Sequence, residues 1–168
     1  MRVYLPCTLP ALARVAAEGE LGPAPLTGYA VTPALIEWYV SGDTEELEYV
    51  ALTEAARASL RMILAERRDG AEVAGRRVVI AAEVPDKYVK IGTDLEERAR
   101  VRVETPVPLR RMASVHVDDT EAIPDVDAAI AALPAADEGD DDARFVVDGA
   151  EAHELMWYAT QEIPDLLR

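Results

Sequence analysis

The sequence has a single cysteine, only nine aromatic residues and no long apolar run. Because Cys7 is alone, an intramolecular disulfide and a cysteine-based zinc cluster are both excluded. No segment approaches the ~18–20 apolar residues that a membrane-spanning helix requires. The first six residues predict a β-strand rather than a signal peptide. We therefore expect a soluble, cytoplasmic protein.

Glycine is also scarce, and the nine glycines are mostly isolated from one another. Such spacing cannot supply a dinucleotide-binding fingerprint or a glycine-rich phosphate loop. The Gly-x-Ser-x-Gly elbow of serine hydrolases and the His-Glu-x-x-His motif of zinc proteases are absent too. The sequence consequently predicts no cofactor and no assigned catalytic residue.

Basic residues are almost missing from the last third of the chain. Residues 1–116 carry 17 acidic and 15 basic side chains, whereas residues 117–168 carry 15 acidic side chains against Arg144 and Arg168 alone. The net charge of −15 therefore divides into −2 and −13. Nucleic acids and anionic membrane surfaces are disfavoured as partners, because both require clustered lysine and arginine.

The apolar content, half of all residues, is sufficient for one packed domain over residues 1–168. The polar, glycine-containing segment 69–75 is a possible internal boundary. Strand and helix patterns alternate irregularly, which predicts an α+β fold with one mixed sheet of about five or six strands packed by helices. Two ferredoxin-like halves are one arrangement that this order allows.

Capping residues mark the predicted helix starts. Thr8 and Thr32 each precede a proline in the first turn, and Asp43 begins the longest helix, which ends near Arg67. Pro124 opens another helix, followed by an acidic loop at 135–142. The predicted strands cover residues 3–5, 28–31, 76–82, 99–104, 114–118 and 144–147.

The final element, which follows the predicted capping residue Asp148 and runs to about residue 162, is predicted as a helix, although residues 155–158 also have strand propensity. Helical spacing would place Glu151, Glu154 and Glu162 in one stripe together with Tyr158. Trp157 would share another side of the helix with His153, next to this acidic ridge. An exposed tryptophan beside an acidic ridge is suited to anchoring a basic protein. Our leading hypothesis is therefore a non-enzymatic interaction or regulatory module that presents this acidic face.

Two alternatives remain open from the sequence. His116 and Asp118 lie two apart on a predicted strand, and with His153 they form the polar set of a possible small enzyme or a weak metal site. A homo-oligomeric structural protein is the third possibility, with its contacts in the nearly neutral first two thirds. The sequence does not fix the oligomeric state.

Several segments together carry a family resemblance. They are residues 1–6, 28–35, 53–57, 115–119 and 157–164. With them, the chain resembles over its whole length a family of small, acidic proteins of unknown function from high-GC actinobacteria. The resemblance implies a bacterial cytoplasmic protein, and it implies no activity, cofactor or site residue.

Overall fold

A computed structural model describes residues 1–39 and 41–168 of the chain. The α-helices of these residues are α1 Leu9–Glu18, α2 Pro33–Trp38, α3 Thr44–Arg68, α4 Ile123–Asp137, α5 Asp141–Gly149 and α6 Ile163–Leu166. The strands are β1 Arg2–Cys7, β2 Glu20–Leu21, β3 Leu26–Tyr29, β4 Val78–Glu83, β5 Val89–Ile91, β6 Arg100–Val103, β7 Val107–Pro108, β8 Met112–Val117 and β9 Met156–Tyr158. The predicted α+β class is confirmed.

The main sheet has seven strands in the order β5-β6-β3-β1-β4-β8-β9, and β2 pairs with β7 in a small second sheet. Every pairing among the described residues is antiparallel. The sheet is thus larger than expected, and it is antiparallel rather than mixed. The reason is that β1 lies between β3 and β4. These two strands, which α2 and α3 connect, would form a parallel pair if they were neighbours, but each pairs with β1 instead.

That insertion gives one split β-α-β unit, of the kind found in ferredoxin-like folds. The strands on either side of α1, β1 and β3, pair directly with each other, and so do β8 and β9 on either side of α4 and α5. Two ferredoxin-like halves would need a second split unit, and the described part of the sheet contains only one.

The helix starts follow the predicted capping chemistry. Thr8, Thr32 and Asp43 each accept a hydrogen bond from the backbone N–H three residues later. Helix α1 ends at Gly19, whose φ of 81° lies in the left-handed region that glycine adopts without strain. The sequence therefore fixes these ends locally, before any tertiary contact.

The two faces of the sheet are covered by different helices. Val3 and Leu5 point to a core shared with α1 and with Ile163 of α6. Tyr4, between them, points to the opposite face, where the first half of α3 packs. Helix α3 contacts β1, β3 and β4, the three central strands of that face.

The acidic stretch after α4 is a helical hairpin instead of the predicted loop and strand. Helix α4 extends to Asp137, and Asp140 caps α5 by accepting a hydrogen bond from the N–H of Ala143. Gly139 turns the chain between them at a φ of 95°. Residues 144–147 are helical despite two valines, because Val147 packs into a core with α4 and the end of α3.

None of the described helices is both long enough and apolar enough to cross a membrane. Cys7, at the end of β1, is fully buried. Burial raises the pKa of its thiol to about 12, so the group stays protonated and unreactive in the folded protein.

Candidate interaction surface at the carboxyl-terminal strand

The segment predicted as a carboxyl-terminal helix is built differently. A 3₁₀ turn over Ala150–Ala152 leads to strand β9, and a second 3₁₀ turn over Thr160–Glu162 follows. Strand β9 pairs along β8, with Trp157 opposite His116 and Tyr158 opposite Val115. The strand propensity of the Met-Trp-Tyr run and the hydrogen bonds of an open sheet edge outweigh the helical spacing. The helix prediction is wrong.

The five predicted partner-binding residues consequently do not share one face. Tyr158 packs against the core on the α1 side of the sheet, whereas Trp157 points to the α3 side. Trp157 is 61 % exposed, which makes it one of the most accessible large side chains of the protein. Only Trp157 of the two aromatic residues is therefore available to a partner.

The three predicted glutamates also have separate environments. Glu151 binds the guanidinium of Arg57 on α3. Glu162 accepts a hydrogen bond of 2.7 Å from the N–H of Ala159 and so stabilises the last turn. Glu154 is exposed, with no cationic group within 4 Å among the described residues. Of the three, Glu154 offers a free carboxylate.

A cleft of about 250 Å³ separates α3 from the segment before β9. We call it the α3–β9 cleft; its lining residues are Tyr49, Leu52, Thr53, Ala56, Arg77, Glu151, His153, Glu154 and Leu155. Its walls combine an exposed tyrosine and two leucines with carboxylates at the rim. The sequence did not indicate the α3 wall, because the apolar spacing of that helix predicts only burial.

A buried ion pair holds the floor of this cleft. Arg77 is 2 % exposed and Asp118 is fully buried. Nε and one terminal amino group of Arg77 donate to the two carboxylate oxygens at 2.8 and 2.7 Å, and the same amino group donates to the carbonyl of His153 at 2.9 Å. The pair thus ties the ends of β4 and β8 to the segment that precedes β9.

Arginines on α3 hold the acidic third at further points. Arg57 binds Asp148, and Arg61 makes two hydrogen bonds of 2.7 Å with Asp137. The hydrogen bond from Arg61 lowers the pKa of Asp137, and the same contact raises the pKa of Arg61. Part of the −13 charge of residues 117–168 is therefore neutralised by ion pairs with arginines of the same chain.

The sequence suggested His116, Asp118 and His153 for an enzyme or a metal site, but each of these residues contacts a different partner. Nε2 of His116 lies 3.0 Å from the hydroxyl of Ser114, Asp118 binds Arg77, and Nε2 of His153 lies 2.7 Å from Asp125. His153 lines the α3–β9 cleft and His116 is not among its lining residues. Within the described ranges, no three His, Cys, Asp or Glu side chains are grouped to hold a metal ion.

Burial lowers the pKa of His116, and the nearby positive charge of Arg2, itself paired with Glu83, adds to the effect. The unfolded chain therefore binds this proton more readily than the folded protein. As the pH falls below about 6.5, the ordinary value, protonation of His116 should favour unfolding. We expect the free energy of unfolding to decrease between pH 7 and pH 5, and less steeply in His116→Gln.

Urea unfolding of both proteins at several pH values measures this difference. Glutamine keeps a group that can hydrogen-bond Ser114 but does not titrate, so the wild-type minus variant difference isolates His116. Parallel stability curves for the two proteins over this range would contradict the assignment.

Comparison with known proteins identifies a family for the chain but gives no function. The model of a family of unknown function, DUF6912, matches residues 1–167. No curated protein and no solved structure matches the chain. With almost every residue covered by that match, the chain belongs to the DUF6912 family.

Proposed function

We propose that this protein is a non-enzymatic interaction or regulatory module that binds a basic protein segment at β9 and the α3–β9 cleft. The observation that supports it best is Trp157, 61 % exposed on a strand at the edge of the sheet. Large aromatic side chains are usually buried, and exposed ones next to a concave surface are frequent anchors of protein interfaces.

The position of β9 supports an extended partner. As the last strand of the sheet, it has one side without a neighbouring strand among the described residues. Backbone N–H and C=O groups on that side are open to an added strand, and alternate side chains of such a strand would contact Trp157. The exposed Met156 adds apolar surface at the same edge.

The negative charge next to β9 favours a positively charged partner. Glu154 and Glu162 flank β9, and no lysine or arginine lies between Arg144 and Arg168. A second copy of this chain added at the same edge would bring these carboxylates together, which is unfavourable. A lysine- or arginine-containing segment is attracted instead, and that attraction should weaken as salt is added.

The experiment uses a synthetic peptide of alternating lysine and valine, titrated against the full-length protein by calorimetry. Trp157→Ala is expected to weaken binding about 30-fold, the loss of a typical anchor residue. Trp38→Ala is the matched control, because Trp38 is 60 % exposed on α2 and should have no effect. Glu154→Lys should also weaken binding, whereas Asp142→Lys, on α5, should not.

Two results would reject the proposal. One is an affinity that does not change with salt or with Glu154→Lys. The other is an equal loss in the Trp157 and Trp38 variants. Self-association that depends on Trp157, measured by light scattering, would favour a homo-oligomer instead.

We further propose that the protein acts in the cytoplasm. The single thiol, Cys7, is free and buried, and the fold is stabilised by packing and ion pairs. Such a protein does not depend on an oxidising compartment.

A further inference from the structure

At the opposite edge of the sheet from β9, the face on which α3 packs has a cleft that is lined by three basic residues. Lys90 of β5 lies directly opposite Arg102 of β6, and Arg102 lies directly opposite Thr27 of β3. Arg100, two residues before Arg102, points to the same face. All four residues line a cleft of about 510 Å³, larger than the α3–β9 cleft.

Directly opposed like charges on neighbouring strands destabilise a sheet unless something neutralises them. Arg100 is neutralised by Glu97. Nε of Arg102 lies 3.2 Å from Glu104, which leaves its terminal amino groups free for another ligand. For Lys90, no carboxylate lies within 4 Å in the described parts of the chain. Lys90 therefore carries the unpaired charge, and Arg102, although it is paired with Glu104, keeps terminal amino groups that can bind a ligand.

The carboxylates next to β9 do not cancel this charge. Six strand spacings separate β5 from β9, or about 29 Å at ~4.8 Å per spacing. Electrostatic interactions through solvent decay over about 8 Å at physiological ionic strength. Glu154 and Glu162 are therefore screened from an anion at the cleft, whose own rim carries the carboxylates of Asp94 and Glu97.

We propose that this cleft binds a small phosphate-bearing molecule, with the phosphate between Lys90 and Arg102. Side chains directly opposed across two strands start about 5 Å apart, so both cations can reach the same phosphate group. The guanidinium fork matches two phosphate oxygens, and the ammonium group contacts a third. The hydroxyl of Thr27, beside Arg102, supplies a further donor.

The cleft also has room for more than a phosphate. Leu26 and Ile91 are among its lining residues, but they alternate along their strands with Thr27 and Lys90, so their side chains point to the other face of the sheet. The side chains on the cleft face therefore contact the phosphate group itself. We expect inorganic phosphate and a phosphate monoester to bind with similar affinity.

Two probes distinguish a phosphate ion from a phosphate ester: inorganic phosphate and phenyl phosphate. Each is titrated into isotope-labelled protein at low salt, and amide shifts are followed by NMR. Saturable shifts are expected around Lys90 and Arg102, with similar affinity for the two probes. Lys90→Gln/Arg102→Gln should weaken phenyl phosphate binding about tenfold or more, because two charge-assisted hydrogen-bonding groups are lost.

Arg14→Gln/Arg110→Gln is the matched control. It removes the same charge from two exposed positions outside the cleft and should leave the affinity within about twofold, the scale of a screened surface charge. An equal loss in both double variants, or shifts that map elsewhere, would overturn the proposal. Much tighter binding of phenyl phosphate than of inorganic phosphate would contradict recognition through the phosphate group alone. Trp157→Ala should not change phosphate binding, so the cleft is tested independently of the proposed protein partner.

Discussion

Replacing Asp118 with alanine is expected to lower the free energy of unfolding by about 3–5 kcal/mol, the loss typical of a broken buried ion pair. The substitution leaves the guanidinium of Arg77 in the interior without its counter-ion. It also removes the acceptor of the Arg77 backbone N–H, which donates to Asp118 at 2.8 Å. Urea denaturation followed by circular dichroism measures the change.

Two controls separate the buried pair from a general effect of removing aspartate. Asp137→Ala breaks the ion pair with Arg61, in which both side chains are half exposed, and should cost at most about 1 kcal/mol. The double variant Arg77→Met/Asp118→Leu removes both charges and should recover most of the stability lost in Asp118→Ala. A loss below about 1 kcal/mol in Asp118→Ala would show that the pair is not buried as described.

Ser59→Ala is the second substitution with a large expected effect. The buried hydroxyl of this α3 residue donates to the carbonyl of Cys7 at 2.7 Å and accepts from the N–H of Val78 at 3.1 Å. It therefore connects the helix to the end of β1 and the start of β4. Alanine leaves a buried acceptor and a buried donor unpaired, at about 1–3 kcal/mol for each.

Thr53→Ala on the same helix is the control. Thr53 is partly exposed, and no side-chain hydrogen bond of Thr53 is found among the described residues. We expect a loss of less than about 0.5 kcal/mol, as for an ordinary surface position. Comparable losses in the two variants would contradict the role of the hydroxyl bridge, because alanine is the stronger helix former at both positions.

The first half of the fold was predictable because its signals are local. Thr8, Thr32 and Asp43 cap their helices through contacts within one turn. The continuous apolar run that contains Ile80 identified β4 as a buried strand. Such signals depend on neighbours in sequence, so no knowledge of the tertiary structure was needed.

The last third was less predictable because its elements are decided by tertiary contacts. Spacing predicted a helix around Trp157, but β8 offers a free edge with which the segment pairs. The segment around Val147 has strand propensity, but it forms a helix because Val147 packs against α4. The candidate surface changed accordingly: Trp157 and Glu154 remained accessible, whereas Tyr158, Glu151 and Glu162 acquired structural contacts.

The charge asymmetry of the sequence has a more specific meaning in the structure. Sequence alone suggested one anionic face on a nearly neutral scaffold. In the folded protein, Arg57 and Arg61 of that scaffold bind acidic residues of the last third. The sequence could not show these pairs, because the partners lie 76 to 94 positions apart.

The central position of β1 also determines how the chain must fold. This strand is synthesised well before β4, yet Arg2 pairs with Glu83, 81 positions later. Closing a loop of that length costs entropy before the contacts that compensate for it have formed, and sheets dominated by such contacts fold slowly. During synthesis, one side of β1 therefore stays unpaired until β4 has emerged.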